Sequence, residues 1–306
     1  MRQVLGDNNW WPLPPSYRVQ PLEYDRFPTL VRFYVDQGYL HVGSAEIATI
    51  SYLVFNSTTL STLAMTGLAS RQATPVTSPK VGDQVLYAQS KATGAAPFDS
   101  SVYVRIGSTV TAIDWFRKDA YSSKNQMAKV AAKAVARVKD VVAGKLHASP
   151  PPRTDASQLP PPGFDITLLG YARIPTEAVV LDIGFSSAPE QVAAILRAGG
   201  VNDALYGDYV LNADTHMEVK ALLLNFNTPS IASQWLDLLR GGAPLDANGI
   251  FSYYSGSRGE YFFAFVSGGK AALLTCASTG PTEAASRACE VPLQDATAAW
   301  KLSLGG

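Results

Sequence analysis

The two cysteines of the chain lie close together near its C-terminus, in the stretch TCASTGPTEAASRACEV. Cys276 ends an apolar segment typical of a strand, and Cys289 lies in a short segment typical of a helix. A strand end and the following helix can bring two Cβ atoms within bonding distance, so the pattern favours a disulfide. Two buried thiols remain an alternative, since free cysteine is among the most buried residue types. A metal site is not favoured because it would need further ligands nearby. A redox pair is not favoured because it would need C-x-x-C spacing.

Histidine and serine patterns that could support catalysis are sparse. The three histidines, His41, His147 and His216, are far apart and form no H-x-x-x-H motif. The segment Gly256-Ser257-Arg258-Gly259 is one residue shorter than the G-x-S-x-G nucleophile elbow and is typical of a hairpin loop. We therefore expect no catalytic residue, no metal site and no cofactor. A hydrolase whose site is assembled from distant residues remains an alternative.

The charges of the 306-residue chain balance at 25 basic and 25 acidic residues, and charged residues make up only 16% of it. A neutral chain has no long-range field to attract nucleic acid, so we expect no nucleic-acid partner. A surface of uncharged polar residues is more common outside the cytoplasm, which favours a periplasmic, cell-surface or secreted protein. No stretch approaches the roughly 18 apolar residues of a membrane span. The first residues lack an apolar signal region, so we expect either no export or a signal sequence absent from this chain.

One predicted helix carries a ridge of basic residues. Lys129, Lys133 and Arg137 recur four residues apart, opposite an apolar stripe. Such a ridge could face anionic lipid. Solvated helix faces commonly have this composition, so peripheral membrane contact through these residues is not expected.

The clearest boundary in the chain is a proline-rich segment. Six prolines fall between Pro150 and Pro162. Polyproline runs are extended and semi-rigid, and they are excluded from helices and central strands. We predict an N-terminal domain at 1–147, a linker at 148–162 and a C-terminal domain at 163–306.

The two halves resemble each other in their order of elements. Phe55-Asn56-Ser57-Thr58 lines up with Phe226-Asn227-Thr228-Pro229, each at the end of a strand and the start of a helix. A strand pair around a glycine turn and a further helical segment follow in both halves. We predict an internal duplication of an α+β domain, each copy an antiparallel sheet with helices packed on one face.

Helix boundaries carry recognisable capping patterns. Ser123 with Gln126, and Ser187 with Glu190, each have the spacing of a capping box. Thr228 is followed by proline at the first helical position, where its missing N–H is not needed. These patterns predict three helix starts.

Aromatic residues suggest two interaction surfaces. Trp10 and Trp11 lie among prolines in what we predict to be an irregular N-terminal arm. The hairpin segment FSYYSGSRGEYFFAFV is apolar on both faces, so it is either covered on both sides or presents a face to a partner. Tyrosine and tryptophan suit interfaces because they bury much area at little entropic cost. The candidate interaction residues are Trp10, Trp11, Tyr253, Tyr254, Tyr261 and Phe263.

The chain also resembles a class of bacterial exported domains between residues 82 and 142. Gly82-Asp83, Val104-Arg105-Ile106-Gly107 and the Ala-rich helix that follows are similar to the extracytoplasmic sensor and lipoprotein domains typified by the sensor domain of the mycobacterial kinase PknH. The resemblance implies an exported, non-catalytic α+β domain and transfers no ligand or site residue. Domains of that class are held by disulfides, whereas the first half of this chain has no cysteine.

These observations favour a non-catalytic exported protein of the bacterial cell envelope with a binding or structural role. It would act through an aromatic surface or an interdomain cleft, on a protein partner or a small apolar ligand. An accessory subunit of a larger membrane-associated complex, with Trp10 and Trp11 contacting a neighbour, is the first alternative, and the hydrolase is the second.

Overall fold

The chain forms two compact units, Met1–Ser149 and Pro150–Gly306. The structure is a computed structural model that describes residues 5, 8–18, 31–44, 46–70, 73–75, 81–91, 98–147, 152–183, 188–256, 259–278 and 288–305. Each unit contains one antiparallel sheet and several helices, so the protein is α+β.

The first unit is built on a seven-stranded sheet in the order β1-β2-β3-β7-β6-β5-β4. Its elements in chain order are β1 (Trp10–Arg18), β2 (Val31–His41), β3 (Ile47–Phe55), α1 (Thr58–Ser70), β4 (Thr74–Pro75), β5 (Gln84–Lys91), β6 (Phe98–Ile106), β7 (Thr109–Arg117) and α2 (Lys124–Val142).

The second unit is built on a six-stranded sheet in the order β11-β12-β13-β10-β9-β8. Its elements are α3 (Arg153–Ala156), β8 (Ile166–Pro175), α4 (Thr176–Ile183), α5 (Pro189–Ala198), β9 (Asp203–Leu211), β10 (Asp214–Asn225), α6 (Pro229–Arg240), β11 (Phe251–Ser255), β12 (Glu260–Ser267), β13 (Lys270–Ser278) and α7 (Glu290–Ser303).

The two sheets share one topology. Read from β8, the second sheet has the order β8-β9-β10-β13-β12-β11, and the first has the same order in β1-β2-β3-β7-β6-β5. In both units a helix leaves the third strand and another follows the last. The second unit adds α4 and α5 after its first strand, and the first adds β4 at its edge. The shared order is consistent with an internal duplication.

Helices pack on both faces of each sheet, which corrects the expectation of helices on one face. In the first unit, α2 packs on Ile50 and Ile113, whereas α1 packs on Leu53 and Val110, their neighbours on the opposite face. In the second unit, α7 shares a core cluster with Ala221 and Leu223, whereas the buried residues of α4 and α6 lie outside that cluster and contact strands of the same sheet. The physical reason is that the central strands are apolar on both faces and both must be buried.

Trp10 and Trp11 lie in a regular strand rather than in an irregular arm, and both are buried, which corrects a second expectation. Trp10 packs edge-to-face on Trp115 at 5.5 Å between ring centroids. The prolines of β1 are tolerated because it is an edge strand, and the register shifts between Pro12 and Pro15.

Most of the predicted linker 148–162 belongs to the second unit. Leu159 is 1% exposed and lies in the core beneath α7. The indole N–H of Trp300 donates to the carbonyl of Gln158 at 2.7 Å, and the Tyr209 hydroxyl donates to the carbonyl of Pro160 at 3.3 Å. Gly207 makes room for this segment, since a Cβ there would lie 3.0 Å from the Leu159 side chain. Residues 152–162 are therefore a packed part of the second unit; residues 148–151 lie outside the described part.

Two of the three predicted helix caps form as expected. The Ser123 hydroxyl accepts from the Gln126 N–H, and the Gln126 side chain accepts from the Ser123 N–H. Thr228 caps α6 by accepting from the Ile231 N–H at 3.3 Å. Helix α5 instead has Ala188 at its N-cap, with no side-chain hydrogen bond, and Ser187 lies outside the described residues.

Candidate functional site

A cleft in the second unit gathers several of the aromatic residues singled out from the sequence. Its volume is about 310 Å³, and it lies between β11, β12 and the start of α7. Five apolar or aromatic residues line it: Ile250, Tyr253, Tyr254, Tyr261 and Phe263. Four polar residues complete the lining: Asp246, Ser252, Glu290 and Gln294. We call it the tyrosine cleft.

Strand pairing places two tyrosine rings in the cleft. Tyr254 on β11 is the direct cross-strand partner of Tyr261 on β12, and their ring centroids are 4.8 Å apart. Tyr261 packs against the core cluster that contains the buried residues of α7, so its ring points to the sheet face that carries this helix. Directly paired residues lie on the same face of a sheet, so the Tyr254 ring points there too. Tyr253 lines the cleft as well, although its ring stacks on that of Phe251, at 6.4 Å between centroids.

The disulfide between Cys276 and Cys289 positions the start of α7 against this pair. Cys276 is the cross-strand partner of Tyr261, and Cys289 is the N-cap residue of α7. The next residue, Glu290, is the first of the helix, and its Oε2 accepts from the Tyr261 hydroxyl at 3.4 Å. The bond confirms the favoured interpretation of the two cysteines and fixes a carboxylate at the cleft wall.

A turn stabilised by its own aspartate closes the cleft on another side. Asp246 Oδ1 accepts from the N–H groups of Asn248 at 2.9 Å and Ile250 at 2.7 Å. Gly249 has a φ of 68°, a left-handed conformation that favours glycine. Lys301 on α7 donates to the carbonyl of Asn248 at 2.6 Å, which ties the turn to the helix.

The cleft lining has a negative formal charge at neutral pH. Asp246 and Glu290 are exposed carboxylates, and none of the described residues that line the cleft is basic. Aromatic rings beside exposed carboxylates can bind an organic cation or hydrogen-bond a polar ligand.

A second group of ionisable residues lies on the opposite face of the same sheet. The Lys220 ammonium is 3.5 Å from Glu218 Oε2 and 3.9 Å from Asp182 Oδ1. Burial lowers the pKa of Lys220, but Asp182, Glu218, Glu260 and Asp208 together outweigh burial and raise it. Lys220 therefore stays protonated at neutral pH and balances buried carboxylates, which is a structural role.

The sequence-predicted candidates divide into two groups. Tyr253, Tyr254, Tyr261 and Phe263 all line the tyrosine cleft. Trp10 and Trp11 are core residues of the first unit, so they cannot form the arm that motivated the accessory-subunit alternative. The basic ridge of Lys129, Lys133 and Arg137 lies on the exposed side of α2.

Sequence reasoning missed the polar half of the cleft. Asp246 stands in the segment DANG, whose residue types signal a turn but not its position. Glu290 follows Cys289 directly, so a disulfide to the strand beside Tyr261 could have pointed to it. Gln294 lies one turn further along α7 and carries no signal of its own.

Neither a metal site nor a membrane span is found in the described part of the chain. No group of three or more His, Cys, Asp or Glu residues described here is arranged to hold a metal ion. None of the described helices has both the length and the apolar character needed to cross a membrane. Ser257 and Arg258 of the loop considered as a nucleophile motif, and the side chain of His216, lie outside the described residues.

Comparisons with known proteins gave one finding. No protein family matches the sequence, and no curated protein matches it. Among solved structures, the crystal structure of the extracellular domain of PknH from Mycobacterium tuberculosis matches with a TM-score of 0.31 and 12% identity. The match covers 45% of this chain and 89% of that one, so the structural resemblance is weak.

Proposed function

We propose that this protein is a non-catalytic binding protein that works outside the cytoplasm and holds a ligand in the tyrosine cleft. The observation that carries the proposal is the convergence of Tyr254, Tyr261, Asp246 and Glu290 around one concave space. The more specific expectation of a bacterial cell envelope rests on the sequence resemblance over residues 82–142.

The size and lining of the cleft suit a small ligand or one side chain of a larger partner. Its volume of about 310 Å³ is at the lower end of the range for ligand pockets, roughly 300–1,000 Å³. Such pockets combine apolar walls with a few polar groups that orient the ligand. Here Phe263 and Ile250 form a buried floor, whereas Asp246 and Glu290 are exposed.

The walls of the cleft are held in place without a ligand. The disulfide fixes the start of α7, the Asp246 turn is closed by two hydrogen bonds, and the tyrosine pair is set by strand register. A preformed site avoids the entropic cost of ordering on binding. This rigidity supports recognition as the task of the cleft.

The lining does not favour hydrolysis by an activated serine or cysteine. A serine or cysteine nucleophile is activated by a neighbouring base. Ser252 is the one hydroxyl-bearing aliphatic residue described in the lining, and neither histidine nor lysine is described beside it there.

The disulfide supports a location outside the cytoplasm. Disulfides form and persist in oxidising compartments and are rare in the cytosol. The bond can be checked by alkylating the protein during extraction from its source. Two cysteines that resist alkylation until reduction would agree with this location, and two alkylated thiols would contradict it.

Ligand-observed NMR of the full chain against a mixed library of small neutral, cationic and anionic compounds tests the binding proposal. We expect hits that lose binding in Tyr254→Thr, which removes one ring from an edge strand. The matched control is Tyr17→Thr, the same change in the edge strand β1 of the first unit. Hits that bind Tyr254→Thr as well as the native chain, or a library without hits, would refute the proposal.

A further inference from the structure

The first unit contains a position equivalent to the tyrosine cleft, and there the chain supplies a cation of its own. The Lys124 ammonium lies 5.5 Å from the centre of the Tyr87 ring, within the range of a cation–π interaction. Lys124 is the first residue of α2, and Tyr87 lies on β5 facing that helix. The Tyr87 hydroxyl is anchored by donating to the carbonyl of Ser122 at 2.7 Å.

The equivalence follows from the shared topology. We take Phe55 at the end of β3 and Phe226 after β10 as equivalent positions and follow the cross-strand partners from each strand to the edge of its sheet. This makes β5, β6 and α2 the counterparts of β11, β12 and α7. Lys124 follows the N-cap Ser123, and Glu290 follows the N-cap Cys289. On the same count, Tyr87 corresponds to Ser252. The buried helix positions agree, since Met127 and Leu293 each come three residues after these first positions.

The second unit reverses the charge at this position and leaves the space open. Glu290 replaces the ammonium of Lys124 with a carboxylate, and Ser252 replaces the ring of Tyr87 with a small side chain. The aromatic rings that line this space in the second unit include those of Tyr254 and Tyr261, which are not the counterparts of Tyr87. The second unit thus has a carboxylate beside an open space where the first unit has an ammonium over a ring.

We propose that the tyrosine cleft binds an organic cation, an ammonium group carried either by a free small molecule or by a lysine side chain of a peptide. This inference rests on the proposed binding function and specifies its ligand class. The aromatic rings of Tyr254 and Tyr261 line the cleft and can attract a cation through their quadrupoles, and Asp246 and Glu290 supply negative charge. Exposed carboxylates are screened by salt, so binding weakens as ionic strength rises.

Isothermal titration of the full chain with three probes tests the inference. Choline represents a free quaternary ammonium, Nα-acetyl-lysine N-methylamide represents a lysine side chain, and 3,3-dimethylbutan-1-ol is the neutral isostere of choline. We expect at least one cation to bind ten or more times more tightly than the neutral alcohol. Binding of choline alone identifies a free small molecule, and binding of the lysine amide alone identifies a peptide side chain.

Substitutions at the first position of α7 test the role of charge. Glu290→Gln should weaken cation binding at least tenfold, whereas Glu190→Gln, an exposed glutamate in the first turn of α5, should leave it unchanged. Ser252→Tyr with Glu290→Lys rebuilds the arrangement of the first unit and should abolish binding. Thermal unfolding of each variant checks that the fold is retained.

The outcomes separate this inference from the proposed function. If the neutral alcohol binds as tightly as choline, or Glu290→Gln binds the cation unchanged, the cation inference is wrong. Library compounds that still require Tyr254 would then leave the binding function standing. If neither cation binds at millimolar concentration, the inference fails as well, and if in addition no library compound binds, both proposals fail.

Discussion

Cys276 and Cys289 are joined by a disulfide with their Cα atoms 6.2 Å apart, and this bond connects the strand beside Tyr261 to the first turn of α7. Both cysteines are fully buried. The bond therefore couples the stability of the second unit to the geometry of the tyrosine cleft, because Glu290 is the residue that follows Cys289.

Replacing both cysteines with alanine should destabilise the second unit by about 3 kcal/mol, the chain-entropy value for a loop of this length. Denaturant unfolding of the native chain and of Cys276→Ala/Cys289→Ala measures the difference. A reducing agent should lower the midpoint of the native chain and leave that of the double variant unchanged. Equal midpoints for the native chain with and without reductant would contradict the prediction.

Replacing Leu159 with alanine should destabilise the protein by about 2–5 kcal/mol, because the side chain lies in the core under α7. The matched control is Leu146→Ala, a leucine on the other side of residues 148–151 that is 44% exposed. We expect the control to stay within about 0.5 kcal/mol of the native chain. Both are measured by denaturant unfolding. If residues 152–162 were a free linker, both substitutions would be neutral.

Replacing Tyr209 with phenylalanine should have an effect that depends on pH. At pH 7 the loss of the hydrogen bond to Pro160 should destabilise by about 1 kcal/mol. Burial raises the pKa of Tyr209 above its ordinary value of about 10. The folded state therefore keeps a proton that the unfolded chain loses, and the stability that Tyr209 confers is complete below pH 10 and declines as the pH rises further.

The advantage of the native chain over Tyr209→Phe should thus shrink by about 1.4 kcal/mol per pH unit above pH 10, and disappear near pH 11. Urea unfolding of both proteins at pH 7, 9, 10.5 and 11 gives this difference directly. Subtracting the two proteins cancels the ionisation of the other tyrosines. A constant difference across this series would show that the Tyr209 pKa is not raised.

Replacing Lys220 with methionine should destabilise the second unit by about 1–3 kcal/mol, since it removes a partly buried cation that attracts Asp182, Glu218, Glu260 and Asp208. The side chain is 28% exposed, so solvent reduces the effect below that of a fully buried pair. The raised pKa of Lys220 makes the stabilisation complete below lysine's ordinary pKa near 10.4 and lost only above it.

The destabilisation by Lys220→Met should accordingly be the same at pH 7 and pH 9 in urea unfolding. Lys129→Met, the same change on the exposed side of α2, is the control and should have almost no effect. Equal stabilities of the two variants would mean that Lys220 is not a structural cation.

Elements defined by local patterns could be predicted from the sequence. The α2 helix follows from the spacing of Met127, Val130, Ala131, Ala134 and Val135, and its start from the Ser123–Gln126 capping box. Helix α6 follows in the same way from Thr228 and its proline. The repeated order of elements was visible because the Phe-Asn step recurs at the same junction of strand and helix. The two helix starts depend on hydrogen bonds between residues three positions apart, and the Phe-Asn step is a pattern of two residues. All three can therefore be recognised in short stretches of sequence.

Interpretations that depended on distant neighbours went wrong. The proline-rich segments could not be assigned without their partners: β1 is an edge strand, where proline is tolerated, and residues 152–162 are held by Trp300 and Tyr209. Proline excludes helix and central strand, but it does not decide whether a segment is free or packed. Trp10 and Trp11 were predicted to lie on a surface because the strands that bury them are distant in the sequence.

The residues alone predicted the fold class, the repeated order of elements, the favoured pairing of the cysteines and the aromatic half of the cleft, because period-two alternation and strand-to-helix steps are properties of short stretches. The covering of both faces of each sheet, and the meeting of Asp246 and Glu290 with the tyrosine pair, depend on long-range contacts that the sequence does not show. Those carboxylates come from a turn and a helix start that are more than 40 residues apart, and strand register together with the disulfide brings them to one cleft.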